Sequence, residues 1–128
     1  MKVVDASVVA RVLLDEAGSE AAIKVLNSKE KMVIPELLYL EIANVLATKI
    51  TITKQQIKPG LDMVHEMNLS IQSVTPKLLV EAAELAKEKK TAIYDMIYAV
   101  LAKKLKCKLV TADVNFAKKT GFSWVEVV

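Results

Sequence analysis

The sequence contains one cysteine, one histidine and one arginine among its 128 residues. Cys107 has no partner for an internal disulfide, and no Cys/His spacing along the chain indicates a zinc site. His65 has no neighbouring imidazole or thiol in the sequence, which favours an ordinary helix-surface residue over a metal ligand or a base. These scarcities argue against nucleophilic catalysis of the Ser/His or Cys/His kind.

Long uncharged apolar runs are missing as well. The stretch 34–47 is interrupted by two glutamates, so it falls short of the about 20 apolar residues that a membrane span requires. The first sixteen residues carry acids and have no small-residue cleavage site, so we expect no signal peptide. A cytoplasmic protein without a membrane partner is therefore expected.

The chain is rich in lysine, but its net charge is only +3. Lysines are grouped at 103–108 and at 118–119. Such a modest excess favours a solvated face that keeps the protein soluble over a dedicated nucleic-acid surface. Charge alone does not identify a partner.

Hydrophobic patterning indicates alternating strands and helices in one domain spanning 1–128. Short apolar runs predict buried strands at 2–4, 32–34, 71–74, 108–110 and 125–128. Helical periodicity predicts helices at 7–16, 19–29, 35–50, 53–68, 76–90 and 91–106. Pro59 is expected to divide or kink the fourth helix. This alternation predicts an α/β fold, a three-layer α/β/α sandwich with a mainly parallel central sheet.

Acidic residues recur where parallel strands end. Asp5 follows the first strand and Asp113 follows the fourth, so both should lie at the carboxyl edge, where such sheets bind ligands. Asp95 opens the helix before that fourth strand, and the return of the chain should bring it beside Asp113. Glu41 lies about 9 Å along its helix from Pro35, in the same half of the domain.

Each acid also has a plain structural interpretation: a helix surface for Glu41, a helix cap for Asp95, and turns for Asp5 and Asp113. Four such coincidences at one edge favour a shared site. Gathered carboxylates repel one another unless a cation holds them, and Mg²⁺ or Mn²⁺ prefers oxygen ligands. Hydrolysis of phosphodiester bonds is the reaction that such a site supports.

Four separated blocks carry a family resemblance: MKVVDASVV, PELLYLEIANVL, YDMIYAVLA and LVTADVNF. They resemble the PIN-domain ribonucleases, most closely VapC-type toxins, whereas segment 50–75 matches only loosely. The resemblance implies a Mg²⁺- or Mn²⁺-dependent endoribonuclease. It implies Asp5, Glu41, Asp95 and Asp113 as catalytic and metal-binding residues, and Ser7, Thr111 and Asn115 as supporting groups. Some family members carry a further acid near Asn115, where an amide supplies an oxygen without charge.

The resemblance also implies partners: an RNA substrate, a cognate VapB-type antitoxin and a second copy of the chain in a homodimer. The segments 7–16 and 20–29 hold more apolar residues than one helix face can bury against a sheet. We expect some of them at the surface as an interaction site.

Two other functions fit parts of the pattern. An aspartate-based phosphoryl-transfer domain also places an acid after its first strand. A phosphatase of the haloacid-dehalogenase type requires a second acid where this chain has Ser7, and a receiver domain requires an acidic pair beside the first strand. A catalytically inactive PIN-like module that binds RNA or protein is the other alternative, and the complete acidic quartet disfavours it.

Overall fold

Five short strands form a single sheet in which every neighbouring pair is parallel. The computed structural model describes residues 1–128. The strands are β1 (Lys2–Val4), β2 (Met32–Pro35), β3 (Ser70–Gln72), β4 (Lys108–Thr111) and β5 (Val125–Val127). Their spatial order is β3-β2-β1-β4-β5, which places β1 at the centre. The predicted parallel sheet is thus confirmed.

Seven helices complete the three-layer sandwich. They are α1 (Ala6–Leu13), α2 (Ser19–Leu26), α3 (Leu37–Thr48), α4 (Lys54–Glu66), α5 (Pro76–Lys89), α6 (Ile93–Lys104) and α7 (Val114–Thr120). Helix α6 packs against β1, β2 and β4, and α5 packs against α6. Helix α1 contacts α2, α3, α4 and β4. No helix is both long enough and apolar enough to cross a membrane.

The core is built from strands that are apolar on both faces and from a helix that is apolar all round. Val3, Val4, Leu109 and Val110 are fully buried, as expected for parallel strands covered on two sides. Every residue of α6 from 96 to 102 is buried between the sheet and α5. Polar side chains near the start of α6 therefore lie at the border of the core.

Pro59, which was expected to divide or kink its helix, does not divide it. Helix α4 runs unbroken from Lys54 to Glu66 with Pro59 inside it. Proline removes one backbone hydrogen bond, to the carbonyl four residues earlier. Gln55 is the residue that provides that carbonyl, and both Gln55 and Pro59 are exposed, so water can satisfy the freed oxygen. At the start of α4, Gln56 Oε1 accepts a hydrogen bond from Thr53 N at 2.8 Å.

Helix α7 was not predicted, because its seven residues bury only Phe116 and Thr120 and show no clear apolar period. Its ends nevertheless follow capping rules. Asp113 is the N-cap, and its Oδ1 accepts a hydrogen bond from Phe116 N at 3.0 Å. Gly121 ends the helix with a φ of 62°, a left-handed conformation that favours glycine.

The cap on α7 can be measured separately from the charge of Asp113. Asp113→Asn and Asp113→Ala both remove the carboxylate charge, but only asparagine keeps an acceptor for Phe116 N. We expect the Asn variant to have a free energy of unfolding about 1 kcal/mol higher than the Ala variant, measured by urea denaturation. Equal stability of the two variants would show that the cap contributes nothing.

Candidate functional site

A cleft of 240 Å³ opens beside β1. The chain adds β2 and β3 on one side of β1 and then β4 and β5 on its other side, so the direction of strand addition reverses there. Open parallel sheets bind ligands at such a point, outside the carboxyl ends of the strands. The polar lining of the cleft consists of Asp5, Ser7, Glu41, Asn44, Asp95, Tyr98 and Asp113. The structure thus brings all four acids expected from the sequence to a single cleft.

Asp5 is the most buried of these acids, with 6% of its surface exposed. It is the N-cap of α1, and its Oδ1 accepts from Ser7 N at 3.1 Å, Val8 N at 3.4 Å and Ser7 Oγ at 2.5 Å. Its Oδ2 accepts from Thr111 Oγ1 at 2.5 Å. Burial raises the pKa of Asp5, and the hydrogen bonds from Ser7, Thr111 and Val8 oppose that rise.

Ser7 and Thr111 extend this network to the end of β4. Ser7 Oγ accepts from Ala112 N at 2.9 Å, and Thr111 Oγ1 accepts from Asp113 N at 3.0 Å. The two hydroxyls therefore join Asp5, at the end of β1, to the backbone that carries Asp113. This is where the structure places two of the three supporting residues expected from the resemblance.

Glu41 is held from the opposite wall by a residue that the sequence analysis missed. Tyr98 OH donates a hydrogen bond to Glu41 Oε1 at 2.7 Å. Burial raises the pKa of Glu41, the Tyr98 hydrogen bond lowers it, and the charges of Asp95 and Asp5 raise it further. Burial, followed by the Glu41 carboxylate, raises the pKa of Tyr98. A signal was present, since Tyr98 follows Asp95 by three residues and shares its helix face.

Asp95 has no compensating partner in the structure. It lies in the first turn of α6, yet the N-cap is Ala92 and no side chain caps this end. The interpretation of Asp95 as a capping residue therefore has no hydrogen bond to support it. Burial, followed by the charges of Asp5 and Asp113, raises the pKa of Asp95 from its ordinary value of 3.8 to about 6.

Asn115, the third expected supporting residue, lies outside the cleft. It lines an adjoining cavity of 130 Å³ that shares Asp95 and Asp113 with the cleft. Asn115 is exposed, at the second position of α7. The structure therefore separates Asn115 from Asp5 and Glu41.

The chemistry of the cleft suits a hard divalent cation. No three His, Cys, Asp or Glu side chains converge closely enough to hold an ion among themselves. Mg²⁺, however, is commonly held by one or two carboxylates and keeps several water ligands. Asp95 has an unpartnered carboxylate whose pKa is raised first by burial and then by the charges of Asp5 and Asp113, so a cation there would relieve their repulsion. These residues fit a hydrated ion with few direct protein ligands.

Comparison with known proteins identifies a family and several similar folds. The family model described as PIN domain matches residues 2–121. PAE2754 from Pyrobaculum aerophilum is 24% identical with a TM-score of 0.75, covering 99% of this chain and 83% of that chain. VapC20 from Mycobacterium tuberculosis, a sarcin-ricin loop cleaving toxin, is 15% identical with a TM-score of 0.77, covering 99% and 98%.

A toxin-antitoxin complex from Klebsiella pneumoniae is 13% identical with a TM-score of 0.76, covering 98% of this chain and 96% of that chain. At these identities the structural likeness shows the fold. No curated protein sequence matches the chain.

The raised pKa of Asp95 predicts a pH-dependent stability of the metal-free protein. A carboxyl that binds its proton more tightly when folded stabilises the fold fully below pH about 4, and this stabilisation is lost as the pH rises through about 6. In EDTA, the melting temperature of the wild type should therefore fall between pH 4.5 and pH 7.5. Asp95→Asn should show a smaller fall and be at least as stable at pH 7.5.

The matched control is Asp62→Asn, the same chemical change at an exposed position of α4. Asp62 forms only an exposed ion pair with Lys58, at 2.8 Å, so its loss should change stability little and leave the fall between pH 4.5 and pH 7.5 close to that of the wild type. A marked loss of stability in Asp95→Asn at pH 7.5 would show that the carboxylate has a structural role instead.

Proposed function

Because the chain belongs to the PIN domain family, we propose that it is a metal-dependent endoribonuclease that hydrolyses phosphodiester bonds of RNA. The observation that carries this proposal is the arrangement of Asp5, Glu41, Asp95 and Asp113 around one cleft at the carboxyl edge of the sheet. An excess of carboxylates in a half-buried cleft destabilises the metal-free fold. Binding of a cation is the function that best explains why these carboxylates are clustered.

The proposed cofactor is Mg²⁺ or Mn²⁺, with Asp95, Asp113 and Asp5 as its protein ligands, directly or through water. Such an ion, when bound, supplies positive charge to the phosphate and lowers the pKa of bound water. Asp95 offers the freest carboxylate for this role. Asp5 is fixed by its four donors, and Asp113 by its cap on α7. The ligand set is thus held by the ends of β1 and β4 and by the start of α6.

Glu41 is the proposed group that orients and deprotonates the attacking water. Its Oε1 is held by Tyr98 OH, which leaves Oε2 available to accept a proton. A general base works best when its pKa lies near the working pH, and burial moves the pKa of Glu41 in that direction. Tyr98 is a positioning residue in this scheme, because it restricts the carboxylate of Glu41 to one orientation across the cleft.

A catalytically inactive RNA- or protein-binding module is the second candidate. The observation that favours it is the absence of three converging metal-ligating side chains. An inactive module would bind RNA without cutting it, with or without a divalent ion. The same assay therefore separates the two functions.

We expect purified protein to cleave structured RNA in Mn²⁺ and to leave it intact in EDTA. Asp95→Asn should reduce the cleavage rate about 100-fold or more, because it removes a proposed metal ligand and changes to groups that only orient such ligands already cost about 10- to 100-fold. Asp62→Asn is the matched control and should cleave at the wild-type rate. Cleavage by Asp95→Asn at the wild-type rate refutes the site, and binding of RNA without cleavage by the wild type favours the inactive module.

For partners, we propose a homodimer and a VapB-type antitoxin, in a toxin-antitoxin pair. One of the similar structures is itself a toxin-antitoxin complex. An apolar groove of 350 Å³ runs between α1, α2 and α4, with Val12, Ile23, Leu26, Met63 and Met67 as its apolar lining. It involves the helices in which surplus apolar residues were expected. An antitoxin segment can place apolar residues here and direct a lysine or arginine toward the acidic cleft.

This partner proposal predicts a separation of inhibition from catalysis. Ile23→Glu with Met63→Glu should leave RNA cleavage unchanged but prevent inhibition by the protein of a short reading frame directly upstream of the gene. Val80→Glu, an exposed apolar position on α5, is the control and should remain inhibited. A monomer by light scattering at micromolar concentration, or an upstream protein that never inhibits, would contradict this partner scheme.

A further inference from the structure

The cavity beside the acidic cleft differs from it by having basic residues in its lining. The cleft of 240 Å³ has four carboxylates in its lining and no lysine or arginine. The adjoining cavity of 130 Å³ includes Lys90 and Lys119, together with Thr91 and Asn115. Asp95 and Asp113 line both spaces. Asp95 and Asp113 therefore lie between an acidic cleft and a cavity in which two lysines accompany them.

The two lysines are free to bind an external anion. Neither Lys90 nor Lys119 forms an ion pair, although both share a cavity with two aspartates. Lys119 Nζ instead donates to the backbone oxygen of Lys90 at 3.2 Å, which places it across the cavity from α7 toward the end of α5. Lysines that served to neutralise the acids would be expected within ion-pair distance of them.

Other groups of the cavity also lack partners. Thr91 Oγ1 is buried and has no hydrogen-bond partner, the one such side-chain atom in the protein. A buried hydroxyl without a partner is costly, and a turn of the Thr91 side chain toward the cavity that it lines would let it donate to an acceptor on a ligand. The neighbouring start of α6 has no side-chain cap. The cavity thus adds two lysines and an unused hydroxyl to the two aspartates that it shares with the cleft, and lysine is a common ligand for phosphate.

We propose that Lys90, Lys119 and Thr91 form a subsite for an RNA phosphate adjacent to the one that is cleaved. This inference rests on the proposed function, because it assigns the acidic cleft to the scissile phosphate. Four carboxylates repel a polyanionic strand, and nothing in the lining of the cleft itself attracts one. The neighbouring lysines provide that attraction, and the shared wall of Asp95 and Asp113 suits consecutive phosphates on its two sides.

Direct binding tests the subsite without any cleavage. The probe is a fluorescein-labelled single-stranded RNA of 12 nucleotides and mixed sequence, titrated in EDTA at several KCl concentrations. We expect the double variant Lys90→Gln, Lys119→Gln to bind this RNA about eightfold more weakly at 50 mM KCl. This factor is what the loss of counterion release at one phosphate of a single strand contributes at that salt concentration. The slope of log K against log[KCl] should become shallower by about 0.7.

The matched control is Lys106→Gln with Lys118→Gln, which removes the same net charge. Lys106 has a φ of 55° after α6, as Lys90 has a φ of 57° after α5, and Lys118 is an exposed neighbour of Lys119 on α7. Neither control lysine lines the cavity. We expect the control to keep the wild-type salt slope. If both pairs change affinity and slope equally, the lysines act only through net charge and the subsite is refuted.

Cleavage in Mn²⁺ then locates the phosphate. One uncharged methylphosphonate linkage is placed in the RNA and moved stepwise away from the cleaved bond. The kcat/KM of the wild type should fall when this linkage replaces one particular phosphate next to the cleaved one. The Lys90→Gln, Lys119→Gln variant should cleave the RNA modified at that position with the same kcat/KM as the unmodified RNA. If its kcat/KM falls there as much as that of the wild type, the assignment is overturned. If the wild type binds RNA with the expected lysine dependence but never cleaves it, the proposed hydrolysis fails while the subsite is supported.

Discussion

The buried carboxylate of Asp5 is the constraint around which the site is organised. A carboxylate with 6% exposure at the end of the central strand is tolerated only with donors around it, and Ser7, Val8 and Thr111 provide them. Those donors come from the start of α1 and the end of β4. Satisfying one charge therefore fixes the relation of three elements, and the same hydroxyls hold the backbone that positions Asp113.

Around this fixed centre, electrostatics and packing are in conflict. Burial raises the pKa values of Asp5, Glu41 and Asp95, and repulsion from neighbouring carboxylates raises those of Glu41 and Asp95 further, so the cleft is less favourable for folding than an apolar one would be. The cost is balanced by α6, whose residues 96–102 are all buried. A strongly apolar helix can thus carry an unpartnered aspartate in its first turn. The neighbouring cavity adds Lys90 and Lys119 beside the same aspartates, and the proposed phosphate subsite depends on these two lysines.

Most of the architecture could be predicted from the sequence, because its signals are local. Apolar runs such as 2–4 and 108–110 indicated buried parallel strands, and their alternation with helical periods indicated the layers. Helix α7 escaped prediction because a short helix on the surface has few apolar residues to reveal a period. The continuity of α4 through Pro59 is compatible with the solvent exposure of Gln55 and Pro59, which periodicity does not report.

The sequence by itself determined the positions of the acids along the chain and, through the rule for parallel strands, the edge at which Asp5 and Asp113 lie. Only the tertiary structure decided how they are held. The bond from Tyr98 to Glu41 joins residues 57 positions apart, and that from Thr111 to Asp5 joins residues 106 apart. The assignment of Asn115 to a second cavity was decided in the same way. Such contacts depend on how α3, α6 and β4 pack against β1, and packing is a property of the whole chain that no local pattern encodes.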